Sequence, residues 1–150
     1  MIVVDNMDMV LASMMRKVSE LSSPESVSRA AATAVMPEIR ERIHVDGKNE
    51  KGAEIGEYSL SYLKLRQRKY NRTSDSKVVA SLTRQLENSY ILGVVGKESY
   101  GISVATPLSF DKIKWLTEKY GEVWMLTENE QKIAFDAAAS QAIKVLNESK

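Results

Sequence analysis

The chain has 150 residues, a formal net charge of +1, one histidine and no cysteine. The length suits a single domain built around one core, and the near-neutral balance selects no partner by bulk charge. Disulfides, zinc thiolates, cysteine nucleophiles, multi-histidine metal sites and histidine relays are excluded, and no apolar run approaches the roughly 18 residues of a membrane span.

The start, MIVVDNMDMV, lacks the pattern of a secretory signal. Residues 5–21 are predicted to be helical, with Met7, Val10, Leu11, Met14, Val18 and Leu21 in one apolar stripe. Four methionines between Met7 and Met15 suit either core packing or an adaptable contact. Ser22-Ser23-Pro24-Glu25 reads as the start of a second helix to Ile43, with a serine cap, proline in the first turn and a carboxylate at the positive end. Val27, Ala30, Ala31, Ala34 and Val35 form its inner stripe, and Pro37 is expected to kink or divide it.

A polar, glycine-bearing stretch follows, HVDGKNEKGAEIGEY over residues 44–58. Gly47 and Gly52 have phosphate-loop spacing, but Ala53 and Glu54 stand where lysine and a hydroxyl are needed. A calcium loop fails because Lys48 and Glu50 occupy ligand positions and glycine falls second after Asp46. The stretch is therefore read as a flexible connection, with Gly47, Gly52, Gly56 and Tyr58 as candidates to settle on a neighbouring subunit. Tyr58 to Lys69 is predicted to form a shorter helix capped by Ser59, with Tyr62 and Leu65 on one side.

Residues 71–76 form a polar turn, and 78–86 fit neither period cleanly, a short helix ending near Asn88 being one reading. Residues 89–106 predict a β-hairpin around Gly96-Lys97-Glu98-Ser99, ended by Pro107. Ser109 is expected to cap a helix to Tyr120, with Ile113, Leu116 and Tyr120 inward and Gly121 as terminator; 122–126 is expected to be extended. Thr127-Glu128-Asn129-Glu130 is a capping box that opens a last helix to about Asn147, with Ile133, Ala134, Ala137, Ala138, Gln141 and Val145 on one face. The class is α+β, mostly helical with one antiparallel hairpin, in a single domain over 1–150.

No residue pattern points to catalysis, a cofactor or a metal. His44 is expected at a helix end or the surface, and the carboxylates read as solvated helix faces. One charge feature stands out. Lys64, Arg66, Arg68, Lys69, Arg72, Lys77 and Arg84 face a single anion, Asp75, between positions 64 and 84, with Tyr58, Tyr62 and Tyr70 interleaved or adjacent. Such a segment suits a solvated face, an acidic protein partner or nucleic acid.

The order IRERIHVDGKNEKGAEIGEYSLSYLKLR, a basic turn, KVVASLTRQLENSYIL and a glycine-bearing hairpin resembles the virion morphogenesis and tail-completion proteins of tailed bacteriophages. The likeness covers about residues 38–106, with weaker agreement around YGEVWMLTENE. In that family a Leu-Thr-Gly-x-Leu-x-x-Ser element precedes a strand; here it reads Leu82-Thr83-Arg84-Gln85-Leu86-Glu87-Asn88-Ser89, with Arg84 in the place of the glycine. The resemblance implies a non-enzymatic virion protein, assembled in the host cytoplasm as a homo-oligomeric ring. Its partners would be other neck, portal or tail proteins, with DNA in the channel. A small nucleic-acid-binding protein using residues 64–84 is the rival expectation.

Overall fold

A computed structural model of the chain describes residues 24–72, 75–95 and 99–148. The expected first helix, the serine cap before Pro24 and most of the hairpin turn lie outside these residues. The described part contains helix α1 (Pro24–His44), helix α2 (Leu60–Tyr70), a 3₁₀ turn (Glu87–Ser89), strands β1 (Tyr90–Val94) and β2 (Tyr100–Val104), helix α3 (Pro107–Tyr120) and helix α4 (Glu128–Glu148). This is the α+β arrangement that the periodicities predict.

The core is a helix pair crossed by a hairpin. Val27, Ala31, Ala32, Val35, Ile39 and Ile43 line the buried side of α1, and Ala134, Ala138 and Ala142 line that of α4. Their small side chains let the backbones approach closely. The antiparallel strands pair Tyr90 with Val104 and Leu92 with Ile102, which sets these four side chains on one face. Tyr90 and Ile102 are buried in the core cluster, and Leu92 and Val104 pack against it. Ser28 ties the hairpin to α1: its Oγ accepts from the Tyr100 N–H at 3.1 Å.

Helix α1 runs unbroken through Pro37, contrary to the expected division. Pro37 is exposed, while Val35 and Ile39 on either side of it are fully buried, so packing on the opposite face holds the helix together. Ser59 caps α2 as expected, accepting from the Tyr62 N–H. Its buried residues, however, are Leu63 and Arg66, and Leu65 is exposed. Helix α3 is capped by Thr106, not Ser109; Pro107 opens the helix at its first turn, where a missing N–H costs nothing. Residues 122–126 are a turn rather than an extended segment, because Val123, Trp124 and Leu126 all have to reach the core within four residues.

The stretch after α1 follows a defined path rather than that of a free connection. Asn49 Oδ1 accepts from the N–H groups of Lys51 and Ala53, and Ile55 N–H donates to Gly47 O at 2.9 Å, closing a small hairpin whose buried anchor is Ile55. Gly47 has φ 62°, and a Cβ there would lie 2.4 Å from Val78 O. Only glycine meets both conditions. Residues 78–86 are irregular instead of helical, with Ala80 and Arg84 at φ 41° and 59°.

Candidate functional site

Two buried arginines organise the polar chemistry, and they differ. Arg42, in the last turn of α1, meets Glu130 of α4 with Nε 2.7 Å from Oε1. Its Nη1 donates to the carbonyls of Lys48 and Val123, and its Nη2 donates to that of Met125. Glu130 is also the second half of the capping box: its Oε2 accepts from Thr127 N–H at 2.8 Å, and its own N–H donates to Thr127 Oγ1. One ion pair thus clasps α1, the loop after it, the 121–127 turn and the start of α4.

Beside the clasp, Trp124 Nε1 donates to Tyr90 Oη at 2.9 Å, and that hydroxyl is hydrogen-bonded to His44 Nε2 at 3.0 Å. The other ring nitrogen, Nδ1, is buried with no hydrogen-bond partner among the described residues. Burial lowers the His44 pKa to about 4, against an opposing pull from Glu87, and burial likewise raises Tyr90 above the ordinary tyrosine range. His44 is at a helix end as expected but lies in the interior, where its ring packs edge-on against Tyr90.

Arg66 stands on α2 with tyrosines four residues before and after it, Tyr62 and Tyr70. Its guanidinium lies 4.4 Å from the Tyr58 ring and 5.8 Å from that of Tyr62. Nη2 donates to Ser81 O at 3.0 Å, while Nε and Nη1 are buried with no hydrogen-bond partner among the described residues. Among the described residues no carboxylate pairs with it. Burial raises the Tyr58 pKa, opposed by the Arg66 charge.

A cleft of about 600 Å³ opens over this residue, between α2, the 80–86 turn and α3. Tyr58, Tyr62 and Tyr70 form one wall, and Trp115 and Tyr120 form the other, their rings edge to face at 6.5 Å. Among the described residues every charged side chain lining it is a cation: Arg66, Arg84, Lys112 and Lys119. Lys119 Nζ sits 4.9 Å from the Trp115 ring, and Lys112 Nζ donates to Gln85 Oε1 at 2.7 Å. Trp115 is 55% exposed.

The seven cations of the basic segment do not make one surface. Lys64, Arg68 and Lys69 are solvated, the first two on the side of α2 opposite Arg66. Arg72 is clipped to the Leu82 carbonyl at 2.9 Å, Lys77 bridges backbone to Glu57, Arg66 is buried, and Arg84 joins the cleft rim. Of the four loop residues expected at a subunit contact, Gly52 is at the exposed tip. Gly47 packs on 77–78, Gly56 lies against Tyr120, and the Tyr58 hydroxyl accepts from Val79 N–H. Lys112, Trp115 and Lys119 were not among the expected site residues, and Tyr120 was expected only as an inward residue of this helix; their spacing along α3 places them on one side and was the available signal.

Among the described residues no group of three His, Asp or Glu side chains is placed to hold a metal ion, and no helix is long and apolar enough to cross a membrane. Comparison with family models, with curated proteins and with solved structures gives no match.

Proposed function

We propose that this chain is a structural subunit of a bacteriophage neck or tail-completion ring, working by docking rather than by catalysis. The observation that carries the reading is the conformation of Arg84. It stands where the family's Leu-Thr-Gly-x-Leu-x-x-Ser element has glycine, and its φ of 59° is the left-handed conformation that glycine favours. A left-handed residue at that position, ahead of the hairpin, is what supports the reading.

Two further features support a docking role. The guanidinium of Arg42 is engaged in holding the fold together, by Glu130 and three backbone carbonyls. The outer side of α4 carries Phe135, Ile143 and Leu146, all exposed and spaced to share a face. A ring closed by rotation needs such a surface to meet a different surface on the next copy.

The rival reading, nucleic-acid binding, is favoured by the solvated Lys64, Arg68 and Lys69 of α2. The informative variant is Arg68→Glu with Lys69→Glu; reversing Arg66 would break a buried contact instead of reporting on DNA. Lost retention on DNA with unchanged ring formation favours the rival. Mass spectrometry of purified particles tests the primary reading: the chain is expected at a fixed stoichiometry to the portal, and its absence from complete, infectious particles would sink the proposal.

A further inference from the structure

We propose that the cleft between α2 and α3 receives an acidic segment of a partner polypeptide, with Arg66 as the seat for one of its carboxylates. The inference deepens the docking reading by naming the chemistry of one partner, and it holds whichever particle the chain belongs to.

Arg66 is only 3% exposed, and burying a charge is costly unless it is paired. The same chain solves that problem at Arg42 with a glutamate and three carbonyls. At Arg66 it supplies one carbonyl and the Tyr58 ring, and leaves Nε and Nη1 without partners. A cation–π contact offsets part of the cost, but provides no acceptor for these N–H groups. Among the described residues the cleft above supplies further cations and no anion. Its occupant must therefore bring the negative charge.

Depth selects among anions. A carboxylate on a flexible side chain reaches a buried guanidinium, entering past Tyr62, the more distant of the two rings over Arg66. A nucleic-acid backbone is tracked by solvated cations, and here Lys64 and Arg68, two residues before and after Arg66, lie on the opposite side of α2. Trp115 and Tyr120 offer flat apolar walls for the stem and flanking residues of a peptide.

The test is a titration of the full chain at low salt with a hexaglutamate peptide, followed by Trp115 fluorescence and calorimetry, with hexaglutamine and an oligothymidylate in parallel. Trp124 is buried and provides a steady background. Saturable binding of hexaglutamate, but not of hexaglutamine, is expected. Arg66→Met should weaken it about thirtyfold or more, as for loss of one member of a desolvated charge pair. Lys64→Ala with Arg68→Ala should change it by about twofold or less. Arg66→Lys keeps the charge and loses the planar fork, so it should bind with intermediate affinity, and it serves if the methionine variant does not fold.

Equal binding by wild type and the Arg66 variants, no binding of hexaglutamate, or oligothymidylate binding that depends on Arg66 would each overturn the proposal. The titration concerns the isolated chain, whereas particle composition concerns the ring. Either can fail while the other stands.

Discussion

Arg42 and Arg66 are similarly buried, stand near opposite ends of the same connecting loop and carry the same charge, yet their surroundings are opposite. Arg42 is enclosed by four acceptors drawn from three segments, and Glu130 neutralises it while capping α4. Arg66 is enclosed by aromatic faces and the carbonyl of one irregular turn. The first arrangement fixes how segments distant in sequence sit on one another. The second leaves hydrogen-bonding capacity under a cleft. A buried charge can thus hold a fold together or be held ready by it, and the partner atoms tell the two apart.

The largest effect that separates them is on stability. Arg42→Met, which strands Glu130 and several carbonyls, should cost about 3–5 kcal/mol, lowering the melting temperature by roughly 10 °C for a domain of this size. Arg66→Met should cost about 1 kcal/mol, because the lost ring contact is offset by the relief of burying an unpaired charge. Thermal melts by circular dichroism decide this; equal losses would erase the distinction.

Acid should act on the Arg42 side. His44 has its pKa lowered from 6.5 to about 4 by burial, so the unfolded chain takes up a proton that the folded chain refuses. Its contribution is complete above pH about 6.5 and falls as pH drops towards about 4, by about 1.4 kcal/mol per pH unit and about 3 kcal/mol in all. His44→Gln should flatten the stability–pH profile in that window, and an unchanged profile would contradict a neutral, buried imidazole.

The loop between the two arginines gives a smaller pair of effects. Gly47→Ala combines left-handed backbone with a Cβ 2.4 Å from Val78 O and should cost about 2–4 kcal/mol. Gly52→Ala, at φ 77° with nothing within 4 Å, should cost about 1 kcal/mol. Matched denaturant melts of the two variants would show whether the loop packs as described or hangs free. The smallest effect is expected beside the cleft, where Arg84→Gly should stabilise by about 0.5 kcal/mol by relieving a left-handed arginine.

The Arg42 side was partly legible in the sequence. Thr127 and Glu130 announced their capping box by spacing alone, Pro24 and Gly121 marked helix ends, and the alternation of 89–106 gave the hairpin. Local chemistry dictates each of these. The ion partner of the capping-box glutamate was not legible, because Arg42 lies 88 positions away and nothing in its own neighbourhood distinguishes it from other arginines.

Arg66 was misread for a different reason. It belongs to a run of cations, and runs of cations are usually solvated. The tyrosines at 62 and 70 share its stripe on α2 and were the sign that this arginine turns inward. Glu122 to Leu126 looked like a strand because its apolar residues are closely spaced. What makes it a turn is the need to join α3 to α4 across the Arg42 clasp, a constraint set by tertiary packing.

The most direct measurement is an image reconstruction of a tailed particle that carries this chain, at a resolution that shows side chains at the head–tail junction. The account predicts a ring of copies there, with an acidic segment of a neighbouring polypeptide lying across Trp115 and a carboxylate against Arg66. A complete particle without the chain, or a ring whose α2–α3 cleft is open to solvent in every copy, would contradict it.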